Sequence, residues 1–465
     1  MTRHAWLARR DTGVNPIHAR RIFAVLAVTA FVVIMVLGLG MTFFADEWSW
    51  IEGRSLGDPS TWWRPHNEHW TTLSILLYRV LVETVGIGSY VPYLALAVGL
   101  HIVVCALVYV LLERSSGPLV ALIGGAIVLF FGSGFEDLYW AFQMDYNLGM
   151  ALGLGALVLT DGPANWRRAA AVAALLLASL ASSGFGIVMS VAIGAEWVMV
   201  QRWRRFVPIL LIPAGAFLAW FLLVGRAGLD TFGVPLTLAS AFDVPRSVMR
   251  GLGNGFGAIT GLPSIGFIVL VAFLVAGTLA ASRGRLAPRA FSIVLAIIVQ
   301  YALTGFARGE LYNGIIDYTD YTRYTYVSGI LALIVVGVIV GKVVLPEAGQ
   351  RRLATLLVLG AWAAVGLVTN IGMLVAGREL FLQKADMTRA LATVALAPDR
   401  PAGVDLDRSL VLVPSPRSLD RIVAAYGDPR TDRLVPWAVR PIPAEIHAEA
   451  QRRLIEGAPI PGVSE

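Results

Sequence analysis

The sequence predicts an all-α polytopic membrane protein with about 11 transmembrane helices and a small α/β region at the C-terminal end. The chain has 465 residues, of which 57% are hydrophobic and only 15% are charged, whereas soluble domains carry about 25% charged residues. Its mean hydropathy is +0.71. Apolar runs of nearly membrane-spanning length recur along most of the chain, so one helical bundle in lipid accounts for most of its residues.

Each predicted span is a run of predominantly apolar residues, and about 20 such residues are needed to cross a bilayer. Several runs are shorter than this, which leaves the count open by one or two. The predicted spans are 22–44, 91–112, 118–134, 146–160, 169–183, 185–200, 207–225, 263–281, 290–307, 329–346 and 354–377.

Arginine residues in the short loops between these spans predict the orientation of the chain. They cluster on the side of residues 1–21, which the positive-inside rule assigns to the cytoplasm. The net charge of +6 is therefore an orientation signal, and we expect membrane lipids rather than nucleic acid as partners. The predicted organisation is a cytoplasmic segment 1–21, a transmembrane domain 22–377 and an extracytoplasmic region 378–465, all at the cell membrane. The first span reads as a retained signal anchor because no small-residue cleavage site follows it.

The first outside loop, residues 45–90, is unusually rich in aromatic and ionisable side chains. Five of the 13 tryptophans and two of the six histidines lie in residues 48–70. Residues 71–85 show apolar side chains at helical spacing, with Arg79 and Glu83 on the other side, which predicts an amphipathic helix in the membrane interface. A second, shorter helix is expected over 46–55.

Two adjacent acids, Asp46 and Glu47, follow the first span directly. A carboxylate at such a low-dielectric boundary can have a raised pKa, which suits a general base that accepts a proton from a hydroxyl. The alternative is a polar stop signal followed by an interfacial tryptophan belt. The density of ionisable groups that follows favours the functional interpretation.

His66, Glu68 and His69 form the second cluster of this loop. Pro65 suits the first position of a helix, so these side chains are expected to share its first turn. They could hydrogen-bond a substrate or ligate zinc or manganese. The spacing does not match a known zinc motif, so substrate binding is favoured, and a divalent metal ion stays an open possibility.

Two later outside loops carry further candidates. Glu136 and Asp137 lie in the loop around 135–145, and Arg323 and Tyr324 lie in the tyrosine-rich stretch 318–326. An arginine at the membrane surface can bind a phosphate with paired donors, and tyrosines can flank a lipid head or a sugar ring. The alternative for both loops is an aromatic girdle at the interface.

Other chemistry-bearing residues are few. His101 and Glu196 lie within predicted spans and are functional candidates by default, although each can also be satisfied within the bundle. Cys105 is the only cysteine, which excludes an intrachain disulfide. No P-loop and no G-x-S-x-G motif is present, which argues against an ATP-driven pump and a serine hydrolase.

The C-terminal region is predicted to be a small α/β appendage. Residues 382–396, 417–425 and 443–455 are expected to be helical, and 409–414 (SLVLVP) is expected to be a strand.

This arrangement resembles the GT-C superfamily of integral membrane glycosyltransferases, which use polyprenyl-phosphate sugars. The resemblance covers about residues 20–375 as architecture: a first span leading into a long outside loop with interfacial helices, and acidic and arginine-tyrosine elements in successive outside loops. The matching residues are Asp46-Glu47, Glu136-Asp137 and Arg323-Tyr324.

The resemblance implies inverting sugar transfer to a cell-envelope glycan, lipid or protein acceptor at the outer face of the membrane. Asp46, or alternatively Glu47, would deprotonate the acceptor hydroxyl, and Arg323 would stabilise the leaving lipid phosphate. The rival interpretations are a polytopic transporter or lipid flippase, with coupling groups near the bilayer midplane, and a non-catalytic envelope-assembly subunit.

Overall fold

The computed structural model describes residues 14–232, 240–282, 287–308, 320–341 and 350–457. Throughout these ranges the regular structure is helical, and none of them contains a strand. The predicted all-α class is therefore confirmed for the described part of the chain. The helices are α1 Pro16–Leu37, α2 Glu47–Glu52, α3 Thr72–Val85, α4 Val91–Ser116, α5 Pro118–Leu129, α6 Phe135–Tyr139, α7 Met144–Leu159, α8 Trp166–Leu180, α9 Phe185–Met199, α10 Gln201–Arg204, α11 Leu211–Leu223, α12 Ser240–Ala258, α13 Gly266–Ser282, α14 Pro288–Arg308, α15 Thr322–Ile339, α16 Gln350–Ala395, α17 Pro416–Tyr426 and α18 Ala444–Glu456.

Five of these helices are long and apolar enough to cross a membrane, namely α1, α4, α14, α15 and much of α16. Two bent pairs raise the number to seven, one at α5 and α6 with a bend of 45° and one at α12 and α13 with a bend of 117°. The predicted count of 11 is not confirmed. The difference arises because α7, α8, α9 and α11 have only 13 to 16 residues, fewer than a single crossing needs.

Helix α15 lies at the centre of the bundle. Every residue from Thr325 to Ile339 is buried, and the helix packs against α4, α12 and α14. A helix that is apolar on all sides requires such a position. Its first turn, which contains Arg323, is thereby fixed at one end of the core.

Helix α16 runs without a break for 46 residues. The predicted domain boundary at 377 falls inside it, and the helix expected over 382–396 is its final part. The C-terminal region therefore continues directly from the last apolar helix.

Beyond α16 the structure corrects one prediction. The stretch 409–414 is a tight turn and not a strand, with paired backbone hydrogen bonds of 3.0 and 3.2 Å between Leu410 and Val413. No described segment lies beside it to form a sheet, and Leu412 and Val413 are buried among helices instead. Helices α17 and α18 confirm the two other predicted helices, so the described C-terminal region is all-α.

The bundle has two ends. We call the end where α1 finishes and α4 begins the site face. The opposite end, where Arg20, Arg114 and Arg289 lie, is the arginine face. At the site face the helices α2 and α3 form as predicted, and on the polar side of α3 Glu83 is exposed whereas Arg79 does not contact solvent. Arg79 is fully buried and donates to the carbonyl of Ile51 at 2.7 Å and to the hydroxyl of Tyr426 in α17 at 2.9 Å.

The C-terminal region therefore covers Arg79 on the polar face of α3, so the hydrogen bonds of this arginine are made within the protein.

Candidate functional site

The chain turns sharply between α1 and α2 to present Asp46. Ala45 has a φ of +52°, a left-handed conformation that is uncommon for a residue other than glycine. Asn67, with a φ of +53°, is the other described non-glycine residue in this region of backbone space. Both lie directly beside predicted site residues, which is where backbone strain is often found in proteins.

The carboxylate of Glu47 is enclosed by hydrogen-bond donors. The side chain has no exposed surface. It accepts the backbone N–H of Phe44 at 3.0 Å and the hydroxyls of Tyr78 and Tyr90 at 3.0 and 3.1 Å. Burial raises the pKa of Glu47 to about 8, and these hydrogen bonds oppose the increase. Glu47 therefore joins α2, α3 and the beginning of α4, and its carboxylate is not exposed.

The adjacent Asp46 is differently placed. Its carboxylate does not cap α2, and no described residue donates a hydrogen bond to it. Burial raises the pKa of Asp46, and the charge of Arg323 lowers it in part. Of the two predicted acids, Asp46 is the one whose oxygens are available to another molecule.

Arg323 lies in the first turn of α15 and faces this carboxylate. Its guanidinium stands over the rings of Tyr321 and Tyr324, at 4.7 and 5.5 Å from their centroids. Its Nε atom is buried, with no hydrogen-bond partner among the described residues. Residues 318 and 319 of the predicted tyrosine-rich stretch lie outside the described part of the chain.

The acidic pair on α6 occupies the same cluster. Glu136 accepts the backbone N–H of Arg323 at 3.0 Å, so it fixes the beginning of α15. Asp137 is completely buried, and neither carboxylate oxygen has a described partner. Its charge interacts with that of Asp145 at the beginning of α7, and Asp145 in turn interacts with Asp46. The structure thus brings together acids from three separate segments.

The predicted helical turn at His66 is wrong. Residues 66–69 form a tight turn closed by two backbone hydrogen bonds of 3.1 and 3.0 Å between His66 and His69, because Asn67 adopts the left-handed conformation that ends a helix. The His66 ring packs against Phe142, and its Nδ1 lies 3.4 Å from the Ser49 hydroxyl. Burial lowers the pKa of His66 to about 3, so the ring is neutral at physiological pH.

Glu68 and His69, the two other predicted site residues of this turn, lie close to each other. The Nε2 atom of His69 lies 3.5 Å from the Oε1 atom of Glu68. The His69 ring also rests against Gly184, where an added Cβ would lie 2.9 Å from Nδ1. Among the residues that the structure describes, no three histidine, cysteine or acidic side chains are grouped closely enough to hold a metal ion. A divalent metal stays a prediction, and no step below depends on one.

Sequence reasoning missed Lys384 as a site residue. This lysine projects from α16, and its amine lies 5.5 and 5.0 Å from the ring centroids of Phe44 and Phe381. Its charge interacts with Glu136 and with Arg323. One signal is present in the sequence: Lys384 is one of only two lysines among the 37 basic residues.

The two ionisable residues predicted within spans are satisfied by protein. The Nδ1 atom of His101 lies 2.9 Å from the Tyr326 hydroxyl. Glu196 accepts two hydrogen bonds from Arg289, at 3.1 and 2.9 Å. Both positions are explained by packing within the bundle, and neither joins the cluster around Asp46.

Taken together, the cluster contains an available carboxylate, two cations on aromatic faces and a buried acid without a partner among the described residues. Comparison with protein family models, with curated proteins and with solved structures finds no match to this chain. A function for the protein is therefore proposed from the chemistry of this cluster.

Proposed function

We propose that the protein is a membrane glycosyltransferase that moves a sugar from a polyprenyl-phosphate donor to an acceptor hydroxyl. One observation carries this proposal. Asp46, the Glu136-Asp137 pair and Arg323 come from three distant segments of the sequence, and all lie in one cluster at the site face. The reaction needs a base and an anion-binding cation close together, and this cluster contains both.

Asp46 is suited to the role of general base. Its carboxylate is unoccupied by described donors, so it can accept a hydrogen bond from an incoming hydroxyl. Burial raises its pKa, which increases the proton affinity of the carboxylate relative to an exposed aspartate. The neighbouring Glu47 is excluded from this role because three protein donors already occupy it.

Arg323 and Lys384 are suited to binding the phosphate of the donor. Each cation lies over aromatic rings, and no described carboxylate forms a direct ion pair with it, although the charges of Asp46 and Glu136 lie close enough to interact. Negative charge develops on the phosphate oxygen as the sugar leaves, and cations already fixed in place stabilise that charge without reorganisation.

In the proposed step one bond forms as another breaks. The acceptor oxygen forms a bond to the anomeric carbon as the bond between that carbon and the phosphate oxygen breaks. The hydroxyl proton passes to Asp46, and the lipid phosphate leaves as an anion held by Arg323 and Lys384. Attack from the side opposite the phosphate inverts the anomeric configuration.

The proposal places the reaction at the outer face of a cell membrane. This follows from the arginine residues of the short loops, which the positive-inside rule assigns to the cytoplasmic side. The site face is at the other end of the bundle. Polyprenyl-linked sugars are membrane-bound donors, so a site beside the ends of apolar helices is accessible to them from within the lipid.

One observation favours transport or lipid flipping as a second candidate. Asp137 has no described partner for either oxygen and lies in the bent pair formed by α5 and α6. Broken helices with ionisable groups are typical of transporter sites. The other group that such a pathway would use, His101, is already bonded to Tyr326.

The first experiment compares the wild type with Asp46→Asn in membranes at equal expression, using a panel of labelled polyprenyl-phosphate sugars. We expect transfer by the wild type and a decrease of roughly 10²- to 10⁴-fold in the variant, the usual contribution of a general base. Asp58→Asn is the matched control, since Asp58 lies on the same loop, is about half exposed and bonds only to Ser60 and Arg64.

Equal transfer by wild type and Asp46→Asn would reject Asp46 as the base. If neither transfers any sugar while Asp137→Asn abolishes movement of a labelled lipid between leaflets, the flippase interpretation replaces the present one. If the wild type supports neither sugar transfer nor lipid movement, the assembly-subunit interpretation is favoured.

A further inference from the structure

A short segment of the C-terminal region, residues 432–440, crosses the site face over the ends of the apolar helices. It begins beside α4. There, Asp432 accepts the backbone N–H of Tyr90 at 3.2 Å, and the backbone N–H of Arg433 donates to Gly88 at 2.8 Å. These contacts fix the beginning of the segment at the residues that immediately precede α4.

The segment then passes α1 and reaches α16. The carbonyl of Ala438 lies so close to Gly40, just beyond α1, that an added Cβ there would be 2.6 Å from the oxygen. Arg440 forms an ion pair of 2.9 Å with Glu379 of α16. Residues 432–440 therefore lie at the level where three membrane-length helices reach the site face.

That level is also where the lipid-facing surface of the bundle ends. Exposed apolar side chains continue along α1 as far as Val36 and along α16 as far as Leu380. Near the end of this stretch of α16, Arg378 donates to the carbonyl of Leu37 at 2.8 Å. Because a charged side chain, Arg378, makes its hydrogen bond at this level, we place the boundary between hydrocarbon and head groups here.

At this boundary the segment exposes two large apolar side chains. Trp437 is 76% exposed and Leu434 is 55% exposed, although the rest of the segment is fastened to the protein. Arg433 and Arg440 flank them. Tryptophan is enriched at the membrane interface because its ring is apolar and its N–H can bond to head groups.

We infer that residues 432–440 form a membrane-surface contact, with Trp437 and Leu434 inserted among the lipids of the leaflet at the site face. The occupant is lipid because this patch continues the lipid-facing surfaces of α1 and α16 at the level where they end. The contact would hold the C-terminal region flat against the membrane. The same region covers Arg79 and bonds to Trp48, so this contact steadies the loop that carries Asp46. The inference is independent of the reaction proposed above.

The test is a spin label at Trp437→Cys in the full-length protein, reconstituted in lipid nanodiscs of mixed neutral and anionic phospholipid. The native Cys105 is buried, and the unsubstituted chain gives the labelling background. Collision of the label with oxygen, which concentrates in lipid, is compared with collision with a water-soluble nickel chelate. Val358→Cys, on the exposed apolar stripe of α16, gives the lipid reference. Ser409→Cys, in an exposed charged turn of the C-terminal region, gives the water reference.

We expect the Trp437 label to collide with oxygen in preference to the nickel chelate, on the side of Val358 and opposite to Ser409. A Trp437 label that behaves like the Ser409 label would overturn the inference. So would a label shielded from both reagents, since that would mean that protein, and not lipid, covers the patch. Leu434→Cys is the second position, and it decides the question in the same way if Trp437→Cys does not fold.

Discussion

The two ends of the helix bundle differ in whether their charged side chains have partners of opposite charge. At the arginine face, buried charges are matched by opposite charges. Arg289 contacts Asp161 at 2.7 Å and Glu196 at 2.9 Å, and Arg114 adds a second contact to Asp161 at 3.2 Å. Burying a charge is tolerable when a partner of opposite sign and good geometry accompanies it. This face is therefore explained by stability and orientation alone.

At the site face, comparable groups are left open. Asp137 is buried with both oxygens unpaired among the described residues. No described residue donates to the carboxylate of Asp46, and Lys384 lies on aromatic rings without a direct ion pair to a described carboxylate. The chain matches its charges at the arginine face and at other positions of the site face, such as Arg440 with Glu379, but not within this cluster. The difference indicates that the open groups are kept for a ligand, which is the physical basis of the proposed transfer site.

The largest expected effect is a loss of stability when the buried ion pairs of the arginine face are broken. Arg289→Gln leaves Glu196 and Asp161 without their main cation, and removing one member of a buried ion pair costs roughly 3–5 kcal/mol of stability. We expect this loss in the free energy of unfolding measured in detergent, with the transfer rate per folded molecule unchanged. Arg20→Gln is the control, because it breaks a pair with Glu113 in which the arginine is 58% exposed, and exposed pairs contribute about 0–1 kcal/mol.

If the two substitutions cost the same, the arginine face is not held together by its buried network. The contrast between the two ends would then lose its energetic basis.

The next largest effect, at the site face, is expected to be a loss of sugar transfer with little change in stability. Arg323→Gln should reduce transfer by roughly 10²- to 10³-fold, the usual result of removing one donor that stabilises developing negative charge. Stability should change little, because the buried Nε of Arg323 makes no described hydrogen bond that the substitution would break. The measurement is transfer from the labelled donor, compared with unfolding in detergent. Arg417→Gln is the control at an exposed ion pair of the C-terminal region. If Arg323→Gln lowers the free energy of unfolding but transfers sugar at the wild-type rate per folded molecule, the role of Arg323 is structural.

A smaller effect concerns Glu47, whose carboxylate accepts three hydrogen bonds from the protein. Burial raises its pKa from 4.5 to about 8, so the folded protein holds this proton more tightly than the unfolded chain does. The stabilisation is complete below about pH 4.5 and is lost as the pH rises to about 8, with a slope of up to about 1.4 kcal/mol per pH unit.

Glu47→Gln cannot titrate and should remove this slope. The measurement is the difference in unfolding free energy between variant and wild type at several pH values from about 5 to 8. Glu52→Gln is the control at an exposed glutamate of the same helix. A difference that stays constant with pH would show that Glu47 is ionised in the folded protein.

Much of the fold could be predicted from the sequence because long apolar runs have few alternatives to helix in lipid. Helices form within all of the runs that were predicted as spans. The predicted number of crossings is not confirmed because hydropathy alone does not show how long each helix is, and helices such as α8 and α9 are shorter than a single crossing needs. The strand at 409–414 was wrong because a local β pattern needs a partner segment, which a single sequence does not reveal.

The site was predictable in part for a similar reason. Asp46, Glu136 and Arg323 were identified because each follows or precedes an apolar run, and span ends at one membrane face meet in space. Glu47 and Asp46 could not be told apart, since their different hydrogen bonds depend on Tyr78 and Tyr90, which lie in a different part of the loop. Lys384 was missed because it lies inside a helix, where no loop boundary draws attention to it.

The smallest expected effect sharpens the comparison within the site face itself. Trp48, two residues after Asp46, donates its indole N–H to the carbonyl of Leu412 at 2.8 Å. Trp48→Phe keeps a large aromatic ring and removes only this bond between the site loop and the C-terminal region. One such bond contributes about 1 kcal/mol, which corresponds to a decrease in transfer of at most about fivefold. Because Trp48 would position Asp46 rather than bind the donor, we expect the decrease in kcat and not in KM. Trp166→Phe, at an exposed position near the arginine face, is the matched control. An unchanged kcat in Trp48→Phe would mean that Asp46 keeps its place without the C-terminal region, and that the buried carboxylate of Glu47 is sufficient to fix the loop.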